Sequence, residues 1–66
     1  MNKKVVYYSS NHNNYITITS NGNACVYTWY KDDQARYTSF NKWAFIDYLK
    51  GCRIPKKYLK EVEAYD

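Results

Sequence analysis

The dipeptide Asn21-Gly22 is the feature that most constrains the fold of this 66-residue chain. It separates two segments of β-branched, aromatic and alternating character, Tyr15 to Ser20 and Asn23 to Lys31. Both central residues of a type I′ turn need a positive φ, which Asn and Gly adopt readily, so the pair predicts a two-residue β-hairpin. Such a loop fixes the register, and we expect Ile18 to lie opposite Cys25.

The predicted hairpin has two chemically different faces. One face is apolar and forms the expected core side of the sheet: Ile16, Ile18, Cys25, Tyr27 and Trp29. The other is small, β-branched and flanked by tyrosines, which suits a surface open to water or to a partner: Tyr15, Thr17, Thr19, Ala24, Val26, Thr28 and Tyr30.

The remaining elements give an α+β chain in the order β-β-β-α-α. Lys3 to Tyr8 reads as a further strand on its β-branched and aromatic content, and Arg36 to Thr38 reads as a short fourth strand at most. Ser39 is the expected N-cap of a helix from Phe40 to Lys50, which Gly51 ends. A second helix starts at Pro55. We therefore expect a three-stranded antiparallel sheet, with a short fourth strand at most, followed by two helices in a single domain that spans residues 1–66.

The segment from Asn23 to Leu49 resembles the arm-type DNA-binding domains of tyrosine integrases. In both, a basic and aromatic hairpin leads through a Phe, here Phe40, into a helix. The resemblance implies an antiparallel sheet followed by a helix. It departs from the family pattern at Trp43-Ala44, where an acidic helix start and a later alanine are expected, so no functional residue is carried over.

The helix from Phe40 to Lys50 is apolar nearly all the way round, whereas a surface helix should show one apolar stripe. Two interpretations stay open: the sheet and the last helix cover both sides, or part of the helix is an exposed interface, including one that forms a homodimer. We expect Trp29 and Trp43 both to be largely buried.

The segment from Lys50 to Lys60 contains five basic residues in eleven and no acid. At about 100° per residue, one side of a helix carries four cations, called the basic stripe below: Arg53, Lys56, Lys57 and Lys60. The opposite side carries Tyr58, Leu59, Val62 and Tyr65. Lysines in the first turn oppose the helix dipole, which argues against selection for helix stability alone. The basic side therefore has two interpretations: it binds an anionic partner, or it is a solvated face that only keeps the protein soluble. The candidate binding residues are the basic ones and three tyrosines: Lys50, Arg53, Lys56, Lys57, Lys60, Tyr15, Tyr30 and Tyr48.

The sequence offers no catalytic set. His12 is the single histidine and lies in an Asn-rich loop, and Asp32-Asp33 is more typical of a turn than of a cation site. Cys25 and Cys52 with one histidine lack the ligands of a zinc site. We expect no enzyme activity, no cofactor, no metal and no membrane span, and a cytoplasmic location (the host cytoplasm if the gene is viral) with both thiols reduced.

Two function classes remain, and both use the basic stripe. The first is a small inhibitor or accessory factor of the phage or mobile-element type, which binds an acidic surface of a host protein. Short length, residues with AT-rich codons and surplus aromatics favour it. The alternative is nucleic-acid binding, in which lysines meet phosphates and Tyr15 and Tyr30 stack on bases. The net charge of +4 is modest for that role.

Overall fold

A four-stranded antiparallel sheet followed by two helices makes up the computed structural model, which describes residues 2–65. The strands pair in chain order as a meander. Their bounds are β1 (Asn2–Tyr7), β2 (Tyr15–Asn21), β3 (Ala24–Lys31) and β4 (Gln34–Ser39), and the helices are α1 (Lys42–Lys50) and α2 (Lys56–Ala64). The α+β order is confirmed, and the segment expected to add a short strand at most is a full fourth strand.

The β2–β3 hairpin forms, but the predicted register is wrong by two residues. Ile18 lies opposite Tyr27 rather than Cys25, because the loop is centred on Gly22-Asn23. Gly22 has a φ of +64° and Asn23 has no positive φ, the pattern of a type II′ turn with glycine in its first central position. A shift of two residues leaves every side chain on its predicted face, because the side-chain period of a strand is two.

Asp32-Asp33 forms the β3–β4 turn. Both residues have a positive φ, 54° and 63°, as a type I′ turn requires. The β1–β2 loop braces this turn: the Asp32 N–H donates to Asn14 Oδ1 at 2.8 Å, and the Asp33 N–H donates to the Asn13 carbonyl at 2.7 Å. The acidic pair is therefore positioned by backbone geometry.

The core lies between one face of the sheet and the two helices. Ile16 and Ile18 from β2 are fully buried, and so are Phe45 and Leu49 from α1. The Phe45 ring lies 5.7 Å from that of Tyr27, measured between centroids. Val62 from α2 closes the core, and Cys25 and Cys52 are partly buried free thiols at its edge.

Helix α1 begins two residues later than predicted, and its N-cap is Asn41 rather than Ser39. The Asn41 Oδ1 atom accepts hydrogen bonds from the Trp43 and Ala44 N–H groups at 3.0 and 3.1 Å. The Ser39 hydroxyl instead accepts from the Asn41 N–H at 3.1 Å. Ser39 thus holds the cap residue in place, and the cap itself is Asn41.

The prediction that both tryptophans are buried is wrong for Trp43. Trp29 is 9% exposed, whereas Trp43 is 56% exposed and Phe40 is 75% exposed. The reason is geometric: α1 buries the arc that carries Phe45, Ile46 and Leu49, and Trp43 lies beyond its edge. The sheet and α2 therefore do not cover both sides of this helix, and part of its apolar surface is exposed.

The two tryptophans should therefore respond differently to truncation. Trp29→Ala removes a buried ring and should cost about 3–5 kcal/mol, enough to unfold a domain of this size. Trp43→Ala should change the free energy of unfolding by less than about 1 kcal/mol. Urea unfolding followed by far-UV circular dichroism measures both. Equal losses of stability in the two variants would contradict this placement of the rings.

Candidate functional site

A groove of about 650 Å³ lies between α1 and α2. Its floor is formed by Ile46, Ile54 and Leu59, which are all buried, and the half-exposed Trp43 ring lines it from α1. Its other lining residues are charged: Lys50, Lys56, Lys60 and Glu63. This site, called the α1–α2 groove below, combines exposed aromatic surface with three cations and one acid.

Helical spacing explains how the sequence builds this groove. Trp43, Ile46 and Lys50 are separated by three and four residues, so they lie along one flank of α1. Lys56 and Lys60 are separated by four residues and lie along the facing flank of α2. The linker between the helices places Ile54 at the floor.

The lysines of the groove have almost no internal counter-charge. Within residues 2–65 the single ion pair joins Lys50 Nζ to Asp47 at 3.6 Å, and both side chains are well exposed. Such a pair contributes little to stability. Lys56 and Lys60 form no ion pair with any residue that the structure describes. The cations of the groove are thus available to an external anion.

The structure places Lys50 and the residues of the basic stripe at three locations. Lys50, Lys56 and Lys60 converge on the α1–α2 groove. Lys57 turns away from it, and its ammonium lies 4.9 Å from the centroid of the Tyr58 ring, a cation–π distance. Arg53 precedes the helix and lines a separate cavity on the other side of the linker.

Tyr48 lies on the flank of α1 that faces β4, away from the groove. Its ring stacks on that of Tyr37 with centroids 3.9 Å apart and meets the edge of Trp29 at 5.8 Å. Although Tyr48 is 43% exposed, much of its surface is used in packing. The structure does not bring it together with the lysines.

Tyr15 and Tyr30 meet on the open face of the sheet, where no helix packs. Their rings stack on each other with centroids 4.6 Å apart and an angle of 17°, and Tyr7 extends the row at 5.5 Å from Tyr15. The Tyr15 hydroxyl donates to Asp33 Oδ1 at 2.8 Å. Each of the two stacked rings covers one face of the other, so that face is not available to a ligand. Asp33 also places a negative charge at this end of the sheet.

Sequence reasoning missed the apolar half of the groove. The sequence predicts a buried Trp43, because a helix that is apolar all round gives no indication of which side faces inward. One signal was present: Trp43 and Ile46 share a flank with Lys50, and Leu59 lies between Lys56 and Lys60 on the next helix. Apolar and basic residues at matched helical spacing are what a groove with a charged rim requires.

Two further observations concern residues 2–65 alone. No group of three or more His, Cys, Asp or Glu side chains lies close enough together there to hold a metal ion. Neither helix of that range has the length and apolarity that crossing a bilayer requires.

Comparison with known proteins gave no relative. A scan against family models, a search of curated proteins and a search of solved structures each found no match to this chain.

The contact between Tyr15 and Asp33 should make the stability of the fold depend on pH in the alkaline range. The hydrogen bond to the carboxylate, the largest cause, raises the pKa of Tyr15 from 10.0 to about 12. A raised pKa means that the folded protein favours the neutral phenol. The contact therefore stabilises the fold below about pH 10, and its contribution is lost as the pH rises to about 12.

Asp33→Asn should return the Tyr15 pKa toward 10, because the charge is removed while Asn still tolerates the positive φ of this turn. The side-chain ¹³C shift of labelled tyrosine measures the titration. Asp32→Asn is the matched control and should leave the Tyr15 titration unchanged. An Asp33→Asn protein with an unaltered Tyr15 titration would rule out this contact.

Proposed function

We propose that this protein is a small non-enzymatic binding protein, an inhibitor or accessory factor, that docks on a protein partner through the α1–α2 groove. The observation that carries the proposal is the exposed Trp43 ring beside an apolar floor and beside Lys56 and Lys60, which form no ion pair with any described residue. The partner surface that fits is an acidic amphipathic segment.

Trp43 supplies the anchor of the proposed interface. Tryptophan is enriched among the few interface residues whose truncation costs about 2 kcal/mol or more, because its large ring buries much surface at a small entropy cost. With 56% of its surface exposed, Trp43 leaves most of that surface available to a partner. Phe40, just before α1, adds a second exposed ring.

The charges of the groove define the chemistry of the partner. Lys50, Lys56 and Lys60 outnumber the single Glu63. Lys56 is also the first residue of α2, and the unpaired N–H groups and dipole at this end of the helix favour an anion. An amphipathic helix that places apolar side chains on the floor and carboxylates against the lysines uses both features. Carboxylates also accelerate encounter with a basic rim.

A homodimer through α1 fits these charges less well. A two-fold interface brings the same patch of two copies together. The lysines of one copy would then face those of the other, and the like charges would repel.

Nucleic-acid binding is the alternative, and one observation favours it: the Trp43 ring beside three lysines could stack on a base. Against it, Tyr15 and Tyr30 lie on the open face of the sheet, while the helices that form the groove pack on the opposite face. The two rings also stack on each other, next to Asp33. The basic stripe and the sheet tyrosines therefore do not form one nucleic-acid surface.

The test compares two labelled probes by fluorescence anisotropy: a helical peptide with one Leu face and one Glu face, and a single-stranded DNA of mixed sequence. We expect the peptide to bind more tightly, with a shallow dependence on salt. Trp43→Ala should weaken peptide binding at least about tenfold, and so should Lys56→Glu combined with Lys60→Glu.

The control is Lys3→Glu combined with Lys57→Glu, which changes the net charge equally outside the groove and should leave peptide binding nearly unchanged. Peptide binding that survives Trp43→Ala would contradict the proposal. Tighter binding to DNA, with a log–log salt slope of about one unit per phosphate contact, would favour the nucleic-acid alternative.

A further inference from the structure

A second cavity, of about 360 Å³, lies on the other side of the linker between α1 and α2. Tyr8, Trp29 and Asn14 line it from the sheet and the β1–β2 loop, and Cys52 and Arg53 line it from the linker. Its other lining residues are Gly51 and, at the end of β3, Lys31. No lysine of the α1–α2 groove lines this cavity, so it is a separate site.

The charge in this cavity is of one sign. Lys31 and Arg53 come from distant parts of the chain, and neither forms an ion pair with a residue in the range 2–65. None of the described lining residues is a carboxylate. Asn14 adds a neutral donor: its Oδ1 accepts from the Asp32 N–H at 2.8 Å, which leaves its amide NH₂ for a ligand.

The apolar wall of the cavity is held in place by hydrogen bonds. The Trp29 indole N–H donates to the Tyr8 hydroxyl, which in turn donates to the Tyr30 carbonyl at 3.3 Å. The indole N–H and the tyrosine hydroxyl therefore both form hydrogen bonds within the protein. The rings present a fixed surface to whatever occupies the cavity.

The backbone at Arg53 supplies an independent observation. Arg53 has a φ of +60°, in the left-handed region that disfavours residues other than Gly, Asn and Asp. Gly51, two residues earlier, has an ordinary φ of −86°. The linker thus places its left-handed residue where an arginine rather than a glycine stands, and strain of this kind concentrates at functional sites.

We infer that this cavity binds a phosphate monoester, with Arg53 and Lys31 as the charged donors and Asn14 as the neutral one. Two cations match the double negative charge of a phosphate group, and the guanidinium of Arg53 can pair with two of its oxygens. The cavity is larger than a phosphate ion, so Trp29 and Tyr8 would contact the organic part of the ligand.

Cys52 provides a readout, because it is a residue of this cavity and Cys25 is not. Alkylation of the folded protein with iodoacetamide, followed by peptide mass mapping, gives the rate at each thiol. Three probes are added in separate arms: inorganic phosphate, ribose 5-phosphate and a nucleoside 5′-monophosphate. We expect each to slow the labelling of Cys52 and not that of Cys25, and the two esters to act at lower concentration than inorganic phosphate.

Substitutions connect this protection to the named donors. Lys31→Gln should raise the phosphate-ester concentration needed for protection at least about tenfold. Arg53→Gly should abolish protection and also raise the midpoint of thermal unfolding, because glycine adopts this φ without strain. Lys57→Gln, a matched loss of one charge outside the cavity, should change nothing.

Three results would overturn the inference. The first is the absence of protection in the unmodified protein at millimolar concentrations of all three probes. The second is equal slowing at Cys25 and Cys52, or an equal loss of protection in Lys57→Gln, which would indicate a nonspecific charge effect. The third is an Arg53→Gly or Lys31→Gln protein that still binds with unchanged affinity.

Discussion

The packing of Phe45 against the sheet is the interaction on which the rest of the structure depends. Its fully buried ring contacts Tyr27 and also stacks on Tyr37 at 6.1 Å, so it fixes the rotation of α1 about its own axis. Once that rotation is set, Trp43 must lie outside the buried arc. A chain of 66 residues forms one small core, and the apolar surface that α1 carries beyond it remains exposed.

Helix α2 shows how the fold tolerates a charge arrangement that does not stabilise it. Lys56 and Lys57 stand in its first turn, against the dipole. The compensating contact comes from α1: Lys42 Nζ donates to the Glu63 carbonyl at 2.8 Å and to the Tyr65 carbonyl at 3.3 Å. A cation from the neighbouring helix thus satisfies carbonyls at the C-terminal end, while the lysines at the other end are left for the proposed partner.

The features of this fold that the sequence predicts are those that a local residue pattern determines. The two faces of the hairpin were predicted correctly because the alternation of side chains along a strand is a local pattern. The error in register did not change them, because the residue opposite Ile18 is two positions from the predicted one. The direction of Trp43 could not be predicted from the pattern of α1 alone, since the apolar residues of α1 surround the helix. Ser39 and Asn41 are both good N-caps, so only tertiary geometry decides between them. The α1–α2 groove arises from the packing of two helices, which neither segment encodes alone.

The proposal that Trp43 is an exposed anchor is tested most directly by ¹⁹F NMR of the protein labelled with 5-fluorotryptophan. The protein contains two tryptophans, Trp29 and Trp43, and the resonance that is lost in the Trp43→Phe variant is that of Trp43. We predict that the Trp43 resonance shifts between H₂O and D₂O, as an exposed ring should, and that this solvent shift disappears when the acidic amphipathic peptide binds. The Trp29 resonance should respond to neither change. A Trp43 resonance without a solvent shift in the free protein, or one that the bound peptide leaves unchanged, would contradict the proposal.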